Sequence, residues 1–143
     1  MRQPEAPRFG TPLVRVGELG STNDLARVMA DAGLPEGTVV VARRQTQGRG
    51  RHGHTWASPP GGLWCSLVLR PARDAGWGRL SLAMAVATCE AVDEVAGIRS
   101  AIRWPNDVVI NGRKVAGILL EGAPNALVVG IGINANVPAE ALP

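Results

Sequence analysis

Apolar residues fall along this chain in short runs separated by glycine, proline and asparagine, a rhythm that suits strands. Runs at 12–19 (PLVRVGEL), 38–43 (TVVVAR), 63–70 (LWCSLVLR), 101–104 (AIRW), 107–110 (DVVI), 114–121 (KVAGILLE) and 126–133 (ALVVGIGI) predict seven strands, enough for one substantial sheet. Two segments carry a helical pattern instead. STNDLARVMADAG (21–33) has Ser21 or Thr22 as N-cap and Gly33 as stop; GRLSLAMAVATCEAVDEVAG (78–97) ends at Gly97 and is apolar on most sides, which predicts a largely buried helix. Asn111-Gly112 is a two-residue hairpin signal and Pro124-Asn125 a second turn, so residues 107–133 read as an antiparallel meander. The pattern predicts an α+β fold, a mixed, largely antiparallel sheet with helices packed on one face, rather than a parallel doubly wound sheet.

Composition narrows the class. The 143 residues, 45% apolar, suit one domain with a real core. Residues 1–10 read as an N-terminal tail ahead of a domain spanning 11–143. A formal net charge of +3 does not mark a dedicated nucleic-acid surface, and aromatic residues make up only 3%. Arginine supplies nearly every cation. Lys114, the single lysine, therefore marks a place where a compact ammonium rather than a planar guanidinium is wanted, or one that survived by drift. Cys65 and Cys89 sit in apolar runs without metal-ligand spacing and read as buried reduced thiols. No stretch has the ~18 apolar residues of a membrane span, so a soluble, cytoplasmic protein without membrane partners is expected.

The segment TQGRGRHGHTW (46–56) is the richest in chemistry. Gly48-x-Gly50-x-x-Gly53 matches a dinucleotide fingerprint on paper, but no helix opens after Gly53, and the next acidic residue, Asp74, comes too late and in a loop. No Gly-Lys-Ser/Thr follows, so a phosphate-binding P-loop fails too. What remains is a pliable loop carrying cationic forks, suited to an anion. A basic tract extended through Arg43 and Arg44, with Trp56 as a stacking platform, is the nucleic-acid alternative; an idle solvated loop is the other.

Five motifs occur in an order that resembles the biotin-protein ligases. They are Ser21-Thr22-Asn23 at a helix start, Gln45 through Gly53 followed by Trp56, Arg103-Trp104-Pro105-Asn106-Asp107, Arg113-Lys114-Val115-Ala116-Gly117-Ile118-Leu119, and Gly130-Ile131-Gly132-Ile133-Asn134. The similarity runs from about residue 11 to the end. It implies an ATP-dependent ligase that makes biotinyl-5′-adenylate from biotin and ATP, with Mg²⁺, and passes the acyl group to a lysine of a biotin carboxyl carrier domain. It also implies a catalytic domain that is incomplete at its C-terminus, no N-terminal DNA-binding segment, and by analogy a homodimer.

The resemblance implies roles as well. Ser21, Thr22, Asn23, Gln45, Gly48, Arg49, Gly50, Arg51, Lys114 and Gly117 form the biotin site. Arg51, Trp56, Asn106, Asp107 and Asn134 form the nucleotide side. Lys114, Arg49 and Arg51 are the cations at the reacting phosphate, where attack by a carboxylate on a triphosphate needs fixed positive charge. The Ser21–Asn23 segment is equally a plain helix cap, and Gly117 equally a strand bulge. Asp107 is a turn former, a support for Lys114, or a Mg²⁺ ligand. Trp104 reads as core packing. His52 and His54 stand where relatives carry arginine, and Arg103 where they carry lysine, so those contacts need not carry over. The loop is expected to close over an anionic ligand. A lipoate-type acyl ligase and a non-catalytic biotin-binding protein remain the alternative readings.

Overall fold

The chain is described by a computed structural model covering residues 9–72 and 75–143. Most of the expected N-terminal tail, and Asp74, lie outside these described residues. The elements are β1 (Leu13–Leu19), α1 (Thr22–Asp31), β2 (Val39–Gln45), β3 (Leu63–Leu69), α2 (Trp77–Ala96), β4 (Ala101–Arg103), β5 (Asp107–Ile110), β6 (Arg113–Ala123) and β7 (Ala126–Ile133), with short 3₁₀ turns at Arg51–Gly53 and Ala139–Ala141. All seven strands join one sheet in the order β1-β2-β3-β7-β6-β5-β4. Only β1 and β2 run parallel, linked by the α1 crossover; every other neighbour is antiparallel. This is the α+β, largely antiparallel sheet that the pattern predicts.

The turns follow their residues. Asn111 and Gly112 have φ of 50° and 75°, the paired positive values of a two-residue hairpin whose twist matches its strands. Pro124 and Asn125 close β6 onto β7, where Ala123 pairs with Ala126. α1 differs from expectation at its start. Ser21 holds the N-cap position without a side-chain cap bond; the free N–H of Thr22 is taken instead by Gln45 Oε1, at 2.8 Å, from β2.

The helices do not share a face. Side chains alternate across a strand, and on β7 Val128 packs with Val40, Val68, Ala26 and Ala30 beneath α1, while Leu127 and Val129 join Ile118 and Ala85 beneath α2. The unbroken apolar run of β7 serves both layers, as in a strand covered on both sides. α2 is also less buried than its composition suggests. Ala85 and Thr88 are its buried residues, whereas Val95 is 88% exposed and Trp77 54%. The helix makes its main contacts with β4, β5 and β6, so one of its faces meets the core and the other is left open.

Trp64 anchors the α1 side, fully buried, with its Nε1–H donating to the Pro59 carbonyl at 2.9 Å. Trp64→Ala is expected to cost ~3–5 kcal/mol, read as a lowered urea midpoint by circular dichroism. A loss below about 1 kcal/mol would remove Trp64 from the core's main supports.

Candidate functional site

The α1 face of the sheet opens into a cavity of about 640 Å³. Of the residues singled out in the sequence, Ser21, Thr22, Asn23, Gln45, Arg49, Gly50, Arg51, Trp56, Asn106, Asp107, Lys114, Gly117 and Asn134 all line it, as do His52 and His54. Gly48 does not. It lies behind the wall, where a Cβ would collide with the Trp56 carbonyl and come 2.7 Å from the Ser58 hydroxyl. Its part is to let the 45–58 segment fold back on itself, with Trp56 N–H donating to the Gly48 carbonyl at 2.9 Å.

The floor is set by a glycine pair. Gly117 on β6 faces Gly132 on β7 across the ladder, and Trp56 lies over both. A Cβ at Gly132 would fall 2.5 Å from Trp56 Nε1, and one at Gly117 would fall 3.2 Å from Cζ3. Lys114 Nζ stands 5.0 Å from the Trp56 ring centroid, a cation–π contact. Trp56 Nε1 and Asn134 Oδ1 are buried without hydrogen-bond partners among the described residues. Each such atom costs about 1–3 kcal/mol, and one donor and one acceptor left open in a cavity wall are groups a polar ligand can satisfy.

Two adjacent residues gather two cations. Asp107, at the start of β5, accepts from Lys114 Nζ at 2.8 Å across the hairpin. Asn106 Oδ1 accepts from Arg51 Nη1 at 3.3 Å, reaching over from the glycine loop. Asn106 is itself fixed, because its Nδ2 donates to the Ile118 carbonyl at 2.6 Å. Of the three readings of Asp107, the geometry supports the one in which it orients Lys114. Its second oxygen faces Arg103 Nη2 at 3.4 Å, which gives that arginine a contact of its own.

Arg49 is not free in the way the sequence suggests. It forks onto Asp24 at 3.1 and 2.8 Å and reaches Glu121 Oε2 at 2.9 Å. The Asp24 hydrogen bond, then that of Glu121, holds its guanidinium even more firmly protonated than usual, and the same bond holds the Asp24 carboxyl below its ordinary value. Arg49 is matched there by two carboxylates, and Arg27 also acts on Asp24, so that corner holds no surplus positive charge. Lys114, Arg103 and Arg51 set against the single carboxylate of Asp107 leave a surplus of positive charge at the hairpin end of the cavity.

A polar wall runs between the two corners. Gln45 Nε2 donates to Ser58 Oγ at 2.8 Å while Gln45 Oε1 meets Thr22, and Asn23 Nδ2 donates to Glu121 at 2.6 Å. Ser66, Ser58, Asp24 and Glu121 were missed in the sequence. Ser66, a lone hydroxyl inside the apolar run LWCSLVL, was the legible clue among them. Trp104 corrects another expectation: it is 79% exposed on the β4–β5 turn, outside the core. Cys65 and Cys89 are free and half-buried, and burial pushes the Cys65 thiol up to about 11. Among the described residues, no three His, Cys, Asp or Glu side chains cluster as a metal site, and both Asp107 oxygens already face cations. The side chains present therefore do not fit a protein-held Mg²⁺. No helix among them is long and apolar enough to cross a membrane.

Residues 19–137 match the Biotin/lipoate A/B protein ligase family. The bifunctional ligase/repressor BirA of Bacillus subtilis is 43% identical over 135 residues, an alignment covering 90% of this chain and 42% of the relative. Among solved structures, the biotin protein ligase from Aquifex aeolicus in complex with biotin and ATP superposes with a TM-score of 0.81 at 38% identity, over 90% of this chain and 56% of the other. That from Leishmania major in complex with biotinyl-5-AMP gives 0.77 at 33%, over 90% and 57%. The chain thus spans about half the length of the proteins it matches.

The Asp24–Arg49 pair gives the site an acid-sensitive joint. A carboxyl whose folded pKa lies below 3.8 contributes stability that is fully present above that value and is lost as pH falls through the folded pKa. Asp24→Asn is expected to lower the unfolding midpoint modestly at neutral pH, because the pair is half-exposed, and to leave it unchanged at the acid end, so that the acid limb of a plot of midpoint against pH flattens. An acid limb of unchanged slope would show that the pair does not contribute.

Proposed function

The chain belongs to the biotin/lipoate A/B protein ligase family, and from that premise we propose that it activates biotin with ATP and transfers the biotinyl group to a lysine of a biotin carboxyl carrier domain. In the first step a carboxylate oxygen of biotin attacks the α-phosphorus of ATP, the bond to the β-phosphate oxygen breaks, and pyrophosphate leaves. In the second, the carrier lysine nitrogen attacks the acyl carbon, AMP leaves with the oxygen, and the amine gives up a proton.

The observation that carries this reading is the shared cavity, with Lys114 and Arg51 at one corner and the neutral wall of Ser21, Thr22, Asn23 and Gln45 at another. Two anions must meet in the first step, so the barrier is lowered by positive charge aimed at the phosphate and by holding the reactants in place. Lys114 and Arg51 supply that charge. Arg49, bound to Asp24 and Glu121, braces the loop. Trp56, Asn106 and Asn134 border the nucleotide, Trp56 offering a flat face and Asn134 its open oxygen. The glycine floor makes room for the Trp56 ring. Any Mg²⁺ enters with the phosphates of ATP, where it would neutralise their charge.

The polar wall favours biotin over lipoate. A ureido ring offers N–H donors and a carbonyl, whereas a dithiolane ring offers neither, and unmatched polar groups in a pocket are costly. Biotin-dependent ATP–pyrophosphate exchange is therefore expected from this chain, with lipoate failing to compete. Lys114→Ala should lower the exchange by about 10²–10³-fold. Unchanged exchange would remove Lys114 from the chemistry, and biotin binding by calorimetry without any exchange would make this a binding protein instead.

A further inference from the structure

Glu121 belongs to none of the motifs that mark the site, yet it closes the network behind the biotin wall. Its Oε2 accepts from Asn23 Nδ2 at 2.6 Å and from Arg49 Nη2 at 2.9 Å. Asn23 Oδ1 lies 2.5 Å from Ser66 Oγ, which lies 2.7 Å from Thr22 Oγ1. Thr22 Oγ1 is in turn 3.0 Å from Gln45 Oε1, an oxygen that already accepts from the Thr22 N–H at 2.8 Å. Ser66 is fully buried, and Thr22 and Asn23 are 3% and 4% exposed, so solvent does not mend a mismatch here.

A hydroxyl carries one hydrogen, so these contacts cannot all be hydrogen bonds at once. A carboxylate only accepts. Glu121 therefore turns the Asn23 NH₂ toward itself and the Asn23 carbonyl toward Ser66. Two oxygens at 2.5 Å need a hydrogen between them, which only Ser66 can supply. Thr22 must then donate to Ser66. Left at the cavity wall are Thr22 Oγ1 and Gln45 Oε1, two acceptors 3.0 Å apart with no hydrogen between them. A ligand N–H completes that gap.

We propose that Glu121 is a positioning residue that sets the direction of hydrogen bonding through Asn23, Ser66 and Thr22, so that the pocket meets a ring N–H with a ready pair of acceptors. The inference rests on reading the cavity as a biotin site and names what makes it selective for an N–H-bearing ring. With alanine at position 121, nothing there accepts from the Asn23 NH₂, and Asn23 can turn over. Ser66 is then free to donate to Thr22 and Thr22 to Gln45, which fills the acceptor pair from within.

The test is biotin affinity, by calorimetry, in the full chain and two variants. Glu121→Ala should bind biotin about 10-fold to 100-fold more weakly than the unaltered chain. N23D/E121A places at position 23 a carboxylate that only accepts, so that Ser66 again donates to it and Thr22 again donates to Ser66. This double variant should recover most of the lost affinity, which a merely structural role for Glu121 would not produce. Undiminished affinity in Glu121→Ala, no recovery in the double variant, or loss of the folded circular dichroism signal in Glu121→Ala would overturn the inference. Failure of the unaltered chain itself to bind biotin would instead bring down the reading of the cavity, and the inference with it.

Discussion

Asn106 and Asp107 hold together the charge arrangement on which the site depends. Lys114 comes from a hairpin and Arg51 from a loop more than fifty residues away in sequence, and two cations left to themselves move apart. Asp107 fixes one at 2.8 Å and Asn106 the other at 3.3 Å. The backbone reinforces this, since Ile118 N–H donates to the Asn106 carbonyl at 3.1 Å and ties the pair of holders to β6. A mouth of concentrated positive charge results, suited to an anion.

Behind that mouth the sheet does the shaping. The register that puts Gly117 opposite Gly132 leaves a bare strip two strands wide, and Trp56 covers it so closely that a methyl group at either glycine would disturb it. The same strands carry Ile118, Val129 and Ile131 on the reverse side, where α2 packs. Alternation thus lets one pair of strands serve as core on one face and as ligand floor on the other. The order of the strands matters equally, because β3 inserted between β2 and β7 places Ser66 where it can join Asn23 to Thr22.

Much of this was legible in the residues. Each of the seven strands and both helices lies within a few residues of its apolar run, and Asn111-Gly112 makes the turn its two residues favour. Local pattern does not say which side of a sheet a helix will cover, so the two helices proved to lie on opposite faces. Nor does composition reveal how little of α2 is covered: its alanines, leucines and valines read as interior, but a single sheet face can bury only one side of it. At the site, motif residues were gathered almost without exception, while their supports were not. Glu121 and Asp24 are ordinary surface-type residues in the sequence, and only the fold brings both to Arg49. Arg49 looked like a free cation for that reason.

The claim that Lys114 and Arg51 act on one anion is tested most directly by comparing two stable analogues of biotinyl-adenylate, one with a charged phosphate and one with a neutral linker. The unaltered chain should prefer the charged analogue, and Arg51→Ala and Lys114→Ala should each narrow that preference by about tenfold or more while leaving the neutral analogue's affinity nearly unchanged. A preference that stays the same width in both variants would contradict the account.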